Sequence, residues 1–138
     1  DVEFSNLLVE ELTRQGLRCR HATGVTVERV IVDAQQKRTL YRQTQADAVD
    51  METYLVLAAV ANFKLPCAAV RIVMDEAASD LPDFNAGLDA AGRIQPCQTL
   101  RALAARPRAA LIFLFTLRPA MRNLNRAARS VFQALNSR

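Results

Sequence analysis

The segment CAAVRIVM, residues 67–74, is apolar at every position except Arg71, with Leu65-Pro66 before it and Asp75-Glu76 after it. A short apolar run bounded by turn signals reads as a strand covered on both faces, the pattern of a parallel sheet in an α/β protein. Such a strand needs helices around it, and the neighbouring segments supply them. Phe4, Leu7, Leu8 and Leu12 are spaced for one face of a helix over 4–15, with Gly16 as its C-cap. Residues 17–23 and 25–32 read as strands bent at Gly24, and 35–43 as a short polar helix. A brief extended piece at 47–51 leads into a helix over 52–64 with Leu55, Val56, Ala59, Val60 and Phe63 on its apolar face. Pro82, Gly87, Gly92 and Pro96 mark 76–97 as a loop. Helices follow at 98–105 and 107–136, the second with a break near Pro119. A hydrophobic share of 51% excludes a disordered chain, and 138 residues without internal repeats suit a single domain, 1–138. AALIFLF at 109–115 is too short for a bilayer-spanning helix, which needs roughly 20 residues.

The net charge of +4 conceals a division. Asp89 is the last acidic residue, and 90–138 hold nine Arg with no Lys, Asp or Glu, so the tail carries +9 and residues 1–89 carry −5. The asymmetry points to an anionic partner or surface for the tail. In its final helix Leu117, Met121, Leu124, Ala128, Val131 and Leu135 recur at steps of three and four, beside a row of Arg118, Arg122, Arg126 and Arg129. The plain reading makes the apolar row core and the Arg row solvated. A second reading lays this helix peripherally on an anionic membrane. No nucleic-acid partner is expected, because the arginines are not interleaved with stacking aromatics. Cys19, Cys67 and Cys97 form no CxxC and cannot complete a zinc site with the single His21, so they read as buried thiols in a reducing cytoplasm. The opening DVEFSNLLVEELTRQG has no Met and reads as a helix in mid-flow, as in a fragment or processed form.

Chemistry-bearing residues gather around the apolar run: AVDMET at 48–53, Met74-Asp75-Glu76, and SDLPDF at 79–84. Ligands of parallel α/β sheets bind beyond the carboxyl ends of the strands. Asp75 stands at such an end, where a carboxyl partly withdrawn from water is either a general acid or the cap of the following turn. Glu52 stands at a helix start, where the dipole favours an anion, so capping is the alternative for it as well.

Taken in order, Val49-Asp50-Met51-Glu52, Leu65-Pro66 and Arg71-Ile72-Val73-Met74-Asp75 give residues 44–84 a pattern that resembles the nucleoside phosphorylase and nucleosidase superfamily. The later pieces LPDF, DAAGRI and LRALAARP and the Arg-rich last helix are most similar to one branch, the hopanoid-associated phosphorylases (adenosylhopane nucleosidases). The resemblance implies a three-layer α/β/α fold, here only its C-terminal portion. It implies an enzyme that cleaves the N-glycosidic bond of a purine nucleoside, releasing adenine from a lipid-linked adenosine such as adenosylhopane. Glu52 would bond the ribose hydroxyls, Met51 would pack on the sugar, Met74 would line the substrate site, and Asp75 would protonate purine N7. The nucleophile would be phosphate or water, with no cofactor, in a homo-oligomer.

Two departures from that pattern stand out. Met74 stands where the superfamily has Ser, which removes a hydroxyl partner for Asp75. Thr53-Tyr54 stand where the branch has Ser-His. With four Gly and no GGxG-type loop, the 138 residues lack the nucleophile side implied for the family and are expected not to be catalytically competent alone. The runner-up reading is an inactive nucleoside-binding or scaffold protein on the same fold.

Overall fold

The computed structural model describes residues 1–89 and 93–136. Its elements are α1 (Val2–Arg14), β1 (Gly24–Thr26), α2 (Ala34–Thr44), β2 (Ala48–Asp50), α3 (Thr53–Ala61), a 3-10 turn (Phe84–Gly87), α4 (Pro96–Ala105) and α5 (Pro107–Asn136). The class is α/β: β1 and β2 pair in parallel, with Gly24 opposite Ala48 and Thr26 opposite Asp50, and α2 forms the crossover between them. Among the described residues this two-stranded sheet is the only one, so the three layers expected from the resemblance are not formed here.

The helix ends follow local chemistry. The Asp33 side chain accepts from Gln35 N at 2.6 Å and Gln36 N at 3.2 Å and starts α2. Gly16, at φ 74°, ends α1: its N–H donates to Thr13 O and Leu17 N–H to Leu12 O, the paired bonds of a Schellman cap. A side chain from the far end of the chain completes this cap, as Arg126 Nη2 donates to Gln15 O at 2.6 Å.

Buried apolar side chains are few: Leu8 and Leu12 of α1, Leu81, Ala102 of α4, and Ala110, Ala120 and Ala127 of α5. α5 packs against α1 and α4, and α4 lies along the 3-10 turn. Gly87 permits that last contact, because a Cβ there would fall 3.2 Å from the Thr99 backbone. The segment after β1 is fastened to the LPDF loop by Val32 O accepting from Leu81 N (2.8 Å) and by Asn85 bonding both backbone groups of Val30.

Several expectations need correction. Residues 67–74 form no strand, and no described segment pairs with them; half-buried Val70, Ile72 and Met74 alternate with exposed Arg71 and Val73. A strand exists only as a pairing, so apolar composition alone cannot make one. Residues 17–23 likewise form no strand, although Thr23 O accepts the N–H of Asp47 at 2.8 Å and of Ala48 at 3.2 Å, and the strand expected over 25–32 shrinks to Gly24–Thr26. The apolar face of α3 is not core: Leu55, Val56 and Phe63 are all more than half exposed. In α5 the buried face is built from small residues, while Met121, Leu124 and Leu135 lie 42–50% exposed at its edge. Small side chains let α1 approach closely, which leaves the larger row outside the contact. α5 also runs through Pro119 without a break, because the proline is on the exposed side, where solvent can take the carbonyl it frees. The three cysteines are free, with Cys97 exposed and Cys19 and Cys67 only half-buried. Of the DAAGRI motif, residues 90–92 lie outside the described residues.

Candidate functional site

The VDME turn spans the carboxyl end of β2 and the start of α3, and its organising side chain is Asp50. Asp50 Oδ1 accepts the N–H of Glu52 at 3.2 Å and of Thr53 at 3.0 Å, together with the Thr26 hydroxyl at 2.8 Å. Its other oxygen takes the Thr53 hydroxyl. Thr26 Oγ1 in turn accepts Tyr54 N–H at 2.9 Å, so β1 also helps to seat α3. Burial pushes the Asp50 carboxyl up, but the Thr53 and Thr26 hydrogen bonds and the Arg71 charge outweigh it, and its pKa falls from 3.8 to about 2.

Asp50 thus performs the capping that the sequence allowed for Glu52. Glu52 occupies the N-cap position of α3, yet its side chain makes no capping bond. The carboxylate is 66% exposed and has Arg71 Nη2 at 3.6 Å. Arg71 also sets Nε 2.6 Å from Thr53 Oγ1 and 3.1 Å from Asp50 Oδ2. The one charged residue of the apolar run therefore ties it to the VDME turn. The backbone amides of 52–54 are all occupied, so the group this end offers to a ligand is an acceptor, the Glu52 carboxylate. Such a group suits a pair of neighbouring hydroxyls. Met51, at the same turn, is half-buried.

Asp75 is placed differently. It is not at a strand end, and it accepts from Lys37 of α2 rather than from the amides of the following turn. Lys37, 8% exposed, spends all three ammonium protons here: on Asp75 Oδ2 at 2.5 Å, Ser79 O at 2.6 Å and Glu76 O at 3.2 Å. The Asp75 side chain remains 31% exposed, and Met74 beside it is half-buried. The sequence reading missed Lys37, which looked like one polar residue among many in QQKRTLYRQ. It also missed Asp50 and Arg71 as partners, although a lone Arg in an apolar run was a usable signal.

Two surface grooves lie away from these residues. One is lined by Ile31, Asp33, Gln36 and Leu40 among others, and the second by Asp83, Gln98, Arg101 and Arg106 among others. Among the described residues no three His, Cys, Asp or Glu side chains gather as a metal-holding group.

Residues 1–107 match the family described as the phosphorylase superfamily. The chain belongs to this superfamily. No curated protein and no solved structure matches it. The matched span runs from α1 through α4 and contains both the VDME turn and the Lys37–Asp75 pair. The chemistry of the phosphorylase superfamily is cleavage of a nucleoside's glycosidic bond. The superfamily match ends before most of α5, which carries the Arg row.

Proposed function

We propose that this chain acts in cleaving the N-glycosidic bond of a purine nucleoside, with adenine leaving a lipid-linked adenosine such as adenosylhopane. The observation that carries the reading is the division of labour at the VDME turn. Asp50 caps α3, and Glu52 keeps its carboxylate outside the cap, beside Arg71, for the ribose hydroxyls. Met51 packs on the sugar, and Met74 lines the base side. In the reaction the C1′–N9 bond breaks with its electron pair passing to the base, Asp75, protonated from solvent once free of Lys37, gives that proton to N7, and an oxygen of phosphate or water bonds to C1′, a water losing one proton to solvent. Ribose clamping and base protonation both act where charge develops. Because Asp75 is paired with Lys37, that contact opens in the productive complex. The working form is a homo-oligomer, as the family resemblance implies.

The Lys37–Asp75 pair also favours a second reading, a nucleoside-binding or scaffold protein whose acid is held out of use. Adenine release by the full-length protein, followed by chromatography with and without phosphate, separates the two. Release that Asp75→Asn slows by orders of magnitude supports the enzyme. Adenosine binding that Glu52→Gln weakens, without any release, supports the binder. Neither binding nor release overturns both.

A further inference from the structure

α5 carries a surface that nothing among the described residues covers. Its 30 residues extend about 45 Å. It packs against α1 and α4, and its buried residues are Ala110 near its start and, on one face, Ala120, Ala127 and Ser130. At about 100° per residue, Leu114, Met121, Leu124, Phe132 and Leu135 share one arc of about 80° along the edge of that face. All five are 42–67% exposed. Arg118, Arg122, Arg126 and Arg129 fill a neighbouring arc of similar width. Arg126 is committed to Gln15 O, whereas Arg118, Arg122 and Arg129 are exposed and engage no acceptor among the described residues. No acidic residue occurs anywhere in α5.

From these observations we propose that α5 docks on an anionic lipid bilayer, lying in the plane of the interface. The exposed apolar arc enters the acyl boundary, and the arginines meet the headgroup phosphates along its flank. The helix is not apolar enough to cross, since no described helix is long and apolar enough to span a membrane. Charge selects this occupant over a second copy packed through the same face. An isologous contact would set one Arg row near another, with no carboxylate on either α5 to relieve it. The proposal is independent of the nucleoside reading, because none of its residues belongs to the VDME turn or to the Lys37–Asp75 pair.

Co-sedimentation of the full chain with vesicles of phosphatidylcholine, with and without 30 mol% phosphatidylglycerol, tests it. Binding is expected on the anionic vesicles alone and should weaken as salt rises. The triple variant Arg118→Gln, Arg122→Gln, Arg129→Gln should lower the partition coefficient about 100-fold. Met121→Ser with Phe132→Ser should lower it at least about 10-fold with charge unchanged. Both sets of side chains are exposed, and circular dichroism verifies that the helices persist. Equal binding to neutral vesicles, no binding to anionic ones at low salt, or wild-type partition by either variant would overturn the proposal. So would a dimer, seen by sedimentation velocity, that assembles through these residues and excludes vesicles.

Discussion

Asp50 and Glu52 divide the start of α3 between them: the carboxylate of Asp50 accepts the backbone N–H of Glu52 at 3.2 Å, so the carboxylate of Glu52 is left outside the cap. This arrangement makes the two acidic residues of one turn behave oppositely on mutation.

Asp50→Ala removes the cap of α3 and the acceptor shared by Thr26 and Thr53, and should cost about 2–3 kcal/mol. Urea unfolding measures it. A loss below about 0.5 kcal/mol would mean that α3 is seated by other contacts.

Glu52→Gln should leave stability within about 0.5 kcal/mol, because its contact with Arg71 is long and largely solvated. It should instead weaken adenosine binding about 10-fold or more while barely affecting 2′,3′-dideoxyadenosine, which lacks the hydroxyls. Isothermal titration with both nucleosides is the check, and equal loss for both would remove Glu52 from ribose recognition.

Stability should fall in acid through Asp50. Its folded pKa of about 2 lies below the ordinary 3.8. The contribution is therefore complete above the unfolded value and is lost as pH falls through the folded one, at most about 2 kcal/mol in all. Denaturation curves for wild type and Asp50→Asn should differ in pH slope between about 4 and 2 and run parallel above that window.

Lys37→Met should destabilise by about 2–3 kcal/mol, since it leaves the Asp75 carboxylate and the carbonyls of Glu76 and Ser79 without their shared donor. Faster proteolysis near residues 75–80 should accompany it. Lys37→Arg should not restore the wild type, because a planar guanidinium cannot aim at the same three acceptors from a buried site.

Arg126→Gln should cost about 1 kcal/mol by uncapping α1, whereas Arg129→Gln, three residues along the same row, should be neutral. Hydrogen exchange at Gly16 and Leu17 distinguishes the two.

The superfamily resemblance read from residues 44–84 holds, and the matched span extends well beyond them. The apolar periodicity of α1 and its Gly16 end were also readable, as was most of the span of α5. Burial was not. Leu55, Val56 and Leu135 carry the spacing of a core face and are exposed, because periodicity states which residues share a side and not whether anything covers it.

What the residue order determined alone is what closes over a few positions. Helices satisfy their own backbone four residues away, caps act within one turn, and the charge division at Asp89 is a matter of composition. The tertiary structure decided which distant groups meet. Arg71 reaches Thr53 across 18 positions, Lys37 reaches Asp75 across 38, and Arg126 reaches Gln15 across 111. It also denied residues 67–74 a strand. Both outcomes have one cause: ion pairs and sheet ladders need a partner brought alongside in space, and a local run of side chains carries no record of that partner.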